Sequence, residues 1–203
     1  MSHSYRQQKD VLPFFHRLHA VLNNDRAKAA VLRRNVGKCI GETRNTYWFY
    51  SLRNDQPWND KTEEIYFLVA TLFSLDKKAY KAKSLPTTDN RTNSMGGVLG
   101  NLARQRGSAE QRKVVERRLI RLLDASLDGA DSEASFLLRQ TVAWALAQGQ
   151  VIAWPKLLTD LLDWNHEDKH VQKRWAMDYY SLTKANETDA PGGNNNYELG
   201  EGD

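Results

Sequence analysis

The chain has 203 residues, of which 40% are hydrophobic and 27% charged, with a net charge of +4. That length and balance support one buried core, or two small lobes sharing one, and exclude a disordered polyelectrolyte. A single cysteine, Cys39, excludes internal disulfides and cysteine-rich zinc ribbons and fits a reducing cytosol. The start, Met1-Ser2-His3-Ser4-Tyr5-Arg6, has no apolar stretch behind it, so no signal peptide is expected. The longest nearly apolar run, 65–73, is far too short to cross a bilayer. A soluble, cytoplasmic protein is the expectation.

In chain order, helix signals dominate and strand signals are nearly absent. Residues 7–22 read as a helix entered through Pro13, and 25–36 as a second, capped by Asn24 or Asp25. Residues 46–52 form a short aromatic helix around Tyr47-Trp48-Phe49-Tyr50. Asp60 with Glu63 resembles a capping box opening an apolar helix over 62–75. The polar stretch around Pro86, 84–94, is the best internal loop and a candidate boundary between lobes 1–83 and 95–184. Helices are then expected over 95–106, over 109–125 behind Ser108 and Gln111, and over 132–148 behind Ser132. Pro155 opens a helix to 164, and the last helix covers 167–184. The tail, 185–203, is rich in Gly, Asn and acid and is expected to be disordered. The fold class is all-α, a bundle of about eight or nine helices. The tryptophans Trp144, Trp154, Trp164 and Trp175 are assigned to a C-terminal core, and His16 and His19 to partly buried packing positions.

Charge is unevenly spread. The tail carries five acids and no base, so residues 1–184 hold all 29 bases against 20 acids, a balance of +9. Residues 91–121 contain eight bases and two acids, whereas 122–168 contain two bases and eight acids. Separate positive and negative areas suit a protein that meets an acidic polymer on one side and a protein partner on another.

Three segments are candidates for the acidic polymer. In the last helix Val171, Trp175, Tyr179 and Leu182 fall on one side, while Lys169, Lys173, Tyr180 and Lys184 fall roughly opposite. Lysines answer phosphates and a tyrosine can stack on a base. In 109–125, Lys113, Arg117 and Arg121 stack at i, i+4 and i+8, a like-charge row that a polyanion would reward; a merely solvated face fits equally well. Leu32-Arg33-Arg34-Asn35-Val36-Gly37-Lys38 adds three bases at a helix end, where the helix dipole favours them without any ligand.

His166-Glu167-Asp168-Lys169-His170 matches the zinc-hydrolase pattern H-E-x-x-H, with His166 and His170 as ligands and Glu167 as general base. Both middle positions are charged, no strand signal precedes the segment, and no third ligand follows at the metzincin spacing. Met95-Gly96-Gly97-Val98-Leu99-Gly100 is glycine-rich but lacks the Gly-Lys-Ser/Thr ending of a phosphate loop, and its glycines are assigned to close helix packing.

Several ordered segments resemble the CasB family, the small subunit of the type I-E CRISPR effector complex Cascade. They are Leu32-Arg33-Arg34, the apolar helix 65–75, Gly97-Val98-Leu99-Gly100-Asn101-Leu102 and Leu137-Leu138-Arg139-Gln140. The most specific are the last two, from Ile152-Ala153-Trp154-Pro155-Lys156 through Asp163-Trp164, and Val171-Gln172-Lys173-Arg174-Trp175-Ala176-Met177-Asp178-Tyr179-Tyr180. The resemblance implies an all-helical protein without catalytic activity or cofactor, present as a pair within Cascade. Its implied partners are the backbone and large subunits, guide RNA and target DNA, and it would stabilise the R-loop, including the displaced strand. By position it points to Arg33, Arg34, Arg139, Lys173 and Arg174 as nucleic-acid contacts. Arg104, Arg112 and Arg117 join them on charge pattern, and Lys38 and Lys169 on their place beside the motifs. The family has no metal site at 166–170, and the loop 84–94 and the acidic tail are additions without an implied role. A free-standing helical nucleic-acid adaptor, or a zinc hydrolase, are the alternative readings.

Overall fold

The computed structural model describes residues 3–53, 58–83 and 94–184. Most of the expected loop 84–94 and the whole tail 185–203 lie outside the described residues. Among the described residues there are nine α-helices, two 3₁₀ turns and no strand, as expected for the all-α class. The helices are α1 (His3–Asn24), α2 (Arg26–Arg34), α3 (Asp60–Phe73), α4 (Lys77–Lys81), α5 (Met95–Arg104), α6 (Ala109–Asp124), α7 (Glu133–Ala147), α8 (Trp154–Leu162) and α9 (His170–Lys184). The 3₁₀ turns are Ile40–Glu42 and Tyr47–Leu52.

Side-chain caps set most boundaries. Asp25 accepts from the backbone N–H of Ala27 and Lys28, Ser108 from Gln111 and Ser132 from Ser135, satisfying donors that a helix start leaves free. Three expectations are corrected. The cap of α3 is Asn59, which accepts from Thr62 N–H at 2.8 Å, and Asp60 is already in the first turn. Pro13 lies inside α1 rather than at its entry. An interior proline forfeits one backbone hydrogen bond, but Val11, Phe14, Phe15, Leu18 and Leu22 are all buried, and that apolar face outweighs the loss. Residues 166–169 form a turn, so α9 begins only at His170. The short helix α4 has no clear sequence signal; Asp76 caps it through Ala79 N–H at 3.0 Å and also accepts from the Trp154 indole N–H at 3.0 Å.

Residues from both stretches, 1–83 and 95–184, build the main core. Phe14, Phe15, Phe49, Phe67 and Phe73 share it with Leu138, Trp154, Leu158, Trp164 and Trp175. The helix α8 reaches back to lie on α1 and α3, and Phe73 meets Trp154 edge to face at 5.5 Å. A second cluster, with Leu99, Leu102, Val115, Leu119, Ala145 and Tyr179, joins α5, α6, α7 and α9. There α5 runs along α9 with almost no spacing: a β-carbon on Gly96 would collide with the backbone carbonyl of Trp175, and one on Gly100 would come within 3.2 Å of the Tyr179 carbonyl. The glycines of this motif therefore serve helix packing, as expected.

Trp144 departs from its three companions: it is half-buried at the edge of the second cluster instead of sitting in the core. His16 is exposed, while His19 is half-buried with Nε2 2.9 Å from the Ala82 carbonyl oxygen.

Candidate nucleic-acid interface

The chain between α2 and the first 3₁₀ turn brings two of the basic motifs together. The last turn of α2 carries Arg33 and Arg34, both exposed. Asn35 ends the helix, its side-chain N–H donating to the Val31 carbonyl at 3.0 Å. Gly37 then adopts φ +88°, a left-handed conformation that side chains resist, and Lys38 follows, exposed. The space a Gly37 side chain would need is filled by the guanidinium of Arg139, from the middle of α7. Arg139 also lies over the ring of Phe136 at 5.6 Å, and Phe136 is 48% exposed. Its Nε is buried without a hydrogen-bond partner among the described residues. Among the described residues no carboxylate lies within ion-pair distance of Arg33, Arg34, Lys38 or Arg139. Arg139 and the exposed Phe136 thus meet the loop that carries Arg33, Arg34 and Lys38, none of these bases in an ion pair among the described residues, while Glu64, Asp131 and Glu42 lie around the neighbouring Cys39. Such a group offers bidentate phosphate contacts and a stacking face.

The remaining expected residues lie elsewhere. Arg104 is exposed at the end of α5, Arg112 is half-buried on α6 close to Tyr179, and Arg117 is exposed on α6. The like-charge row on α6 is partly answered: Lys113 meets Glu110 at 3.2 Å and Arg121 meets Glu133 at 3.9 Å, both as exposed pairs of small energetic weight. Lys169 lies in the turn before α9, with φ +48°, and Lys173 is exposed one turn into the helix. Tyr180 presents part of its ring, but its hydroxyl donates to Glu116 of α6 at 2.8 Å, and that bond pushes its pKa up.

Arg174 has a structural partner. Its Nη2 donates to the buried carboxylate of Asp160 on α8, whose second oxygen accepts from the Trp175 indole N–H at 2.6 Å. Lys156 adds a further cation at 3.8 Å. Burial pushes the Asp160 carboxyl up, and Arg174, the Trp175 indole and Lys156 draw it back. Around this centre Trp164 and Trp175 meet edge to face at 4.9 Å, Gln172 donates to the Trp164 carbonyl at 2.6 Å, and the Trp164 indole donates to the Ala125 carbonyl at 3.0 Å. The two most specific segments of the resemblance therefore form one lock between α8 and α9.

The zinc reading loses its geometry. His166 is in a turn, its ring edge-to-face with His170 at 4.8 Å; His166 lies 3.6 Å from Asp168 and His170 3.9 Å from Asp163. The i, i+4 helical presentation that H-E-x-x-H requires is missing, and among the described residues no group of three or more His, Cys, Asp or Glu is placed to hold a metal ion.

Residues 28–180, from within α2 through most of α9, match the model of the CRISPR-associated protein Cse2 family. The chain belongs to the Cse2 family. A curated Cse2 protein from Thermus thermophilus is 35% identical over 130 residues, which span 64% of each chain. Two solved structures of the family agree. Against CasB from M. ruber the identity is 28% with a TM-score of 0.63, covering 80% of this chain and 88% of that one. Against a Cse2-family protein from Thermus thermophilus it is 25% with a TM-score of 0.62, covering 89% and 99%. A chain of a CRISPR RNA-guided surveillance complex shares the fold at 20% identity, with a TM-score of 0.67 and coverage of 89% and 97%. The Cse2 match includes the Arg33–Arg34 turn, Arg139 and the α8–α9 lock, and omits α1 and the tail. No helix among the described residues is long and apolar enough to cross a membrane.

Proposed function

We propose that this Cse2-family protein is a non-catalytic small subunit of a type I-E Cascade complex in the cytoplasm. In this reading a pair of copies sits beside the backbone and large subunits and holds the opened strands of an R-loop, including the displaced one. The observation that carries it is the seating of Arg139, with the exposed Phe136 beside it, against Gly37 in the loop that carries Arg33, Arg34 and Lys38, none of these bases being in an ion pair among the described residues. Binding there is electrostatic and independent of sequence, since guanidinium and ammonium groups meet phosphates while the guide selects the target by base pairing. Exchange of DNA duplex for RNA–DNA heteroduplex is nearly balanced, so a few phosphate contacts on the separated strands tip it.

The test is R-loop formation on a matched duplex by guide-loaded Cascade, assembled with and without this chain. A marked loss without it, restored on adding it back, supports the proposal. Equal R-loops in both assemblies, with the chain not retained in the complex, would favour a free-standing helical nucleic-acid adaptor.

A further inference from the structure

The second end of α7 carries another aromatic–guanidinium site that the sequence motifs do not mark. Trp144 is the one tryptophan of the C-terminal half that stays half-buried, whereas Trp154, Trp164 and Trp175 are fully enclosed. Two guanidiniums lie over its ring, Arg118 of α6 at 5.0 Å and Arg106 of the α5–α6 connection at 5.5 Å. Arg106 is steered by a neutral partner, donating to the Gln148 amide oxygen at 3.1 Å, so its charge is left intact. No carboxylate pairs with Arg106 or Arg118 among the described residues. These groups line one cleft of 250 Å³ with Gln111, Val114 and Val115, and Val114 at its rim is 55% exposed.

The cleft lies just below the roughly 300–1,000 Å³ of drug-sized sites, and its walls combine an apolar floor, one amide and two cations. That combination matches a nucleotide: a flat base against indole and valine, an amide for its polar edge, and guanidiniums for stacking or for its phosphate. Trp144 also follows Phe136 on α7 by eight residues, about 12 Å along the axis and rotated by about 80°. A strand that reaches Arg139 and Phe136 can therefore continue along α7 to Trp144.

We infer that the cleft between α6 and α7 around Trp144 holds one unstacked base of a single strand against the indole, Arg106 and Arg118 moving off the ring onto its phosphate. The inference rests on the nucleic-acid reading above and adds a base-dependent site to it. Its test uses the full-length protein, a labelled 20-mer of thymidine and an abasic strand of equal length and charge. Trp144→Ala is expected to weaken thymidine binding about tenfold and to leave abasic binding unchanged, because only the base stacks. Arg118→Gln should weaken both strands and lower the salt slope by about 0.7. If Trp144→Ala loses its helical spectrum, Val114→Glu takes its place; it sets a carboxylate at the rim and should weaken thymidine binding about tenfold. A Trp144→Ala protein that binds both strands normally, or loses both equally, overturns the inference, as does a folded Val114→Glu protein that binds normally. Loss of binding in an Arg33→Glu, Arg34→Glu protein beside a normal Trp144→Ala protein would overturn this site alone. A wild-type protein that binds neither strand at low salt would overturn the interface as well.

Discussion

The guanidinium of Arg139 occupies the place where any side chain on Gly37 would have to stand. This contact joins α7 to the loop after α2 and brings together two basic segments about a hundred residues apart in the chain. Gly37→Ala would meet two penalties, the positive φ of +88° and the displaced guanidinium. The expected cost is about 1–2 kcal/mol of stability, together with weaker strand binding. Urea denaturation and an oligonucleotide titration measure the two effects; an alanine variant equal to wild type in both would remove Gly37 from the account.

Arg33→Glu with Arg34→Glu should leave the fold intact, since both side chains are exposed and neither holds another element. R-loop yield should fall, and the slope of log affinity for single strands against log salt should lose about 0.7 per phosphate contact removed. A doubly reversed protein that is incorporated into the complex and still gives full R-loop yield would sink the assignment.

Arg174→Ala should destabilise the protein by about 1–3 kcal/mol near neutral pH, because it removes the main counter-charge of a buried carboxylate, although Arg174 is itself 38% exposed and Lys156 stays at 3.8 Å. The deficit should depend on pH. Burial already raises the Asp160 pKa, and losing Arg174 raises it further. A folded-state pKa above the unfolded value adds stability below the unfolded pKa and loses it as pH rises through the folded one. The gap between variant and wild type should therefore widen as pH rises from acid to neutral. Urea midpoints across that range decide it: a deficit independent of pH would mean that Arg174 acts by packing alone.

Gly96→Ala should cost more than Gly100→Ala. At Gly96 the added methyl meets the Trp175 backbone carbonyl, which cannot move aside without shifting α9. At Gly100 it meets the Leu182 side chain at 3.1 Å and the Tyr179 carbonyl at 3.2 Å, so a few tenths of an ångström suffice. Overpacking of this kind costs about 1–3 kcal/mol, with Gly96 at the upper end. Thermal unfolding of the two variants gives the order, and equal midpoints would show that the α5–α9 seam is softer than it looks.

Local chemistry makes the helices legible. Asp25, Ser108 and Ser132 carry their capping oxygen within a few residues of the N–H groups they satisfy, so sequence spacing alone reveals them. Asn59 in place of Asp60 is a one-residue difference between two good caps. The place of Pro13 is not legible, because interior proline is tolerated only when a buried face repays it, and burial is a tertiary fact. The short α4 escapes a sequence reading although Asp76 caps it as locally as the others, because five residues carry too little periodicity to mark a helix.

The sequence by itself determined the all-helical class, the excess of base over acid before the tail, and the motifs that the Cse2 family shares. Those properties depend on residue type and short-range periodicity. Only the tertiary structure decided which bases stand together and which are already engaged. It seated Arg139 under Gly37, gave Arg174 to the buried Asp160, and drew Arg106 and Arg118 over a half-buried Trp144. A cation's availability depends on what lies within a few ångströms of it, and packing brings together partners that chain order keeps far apart.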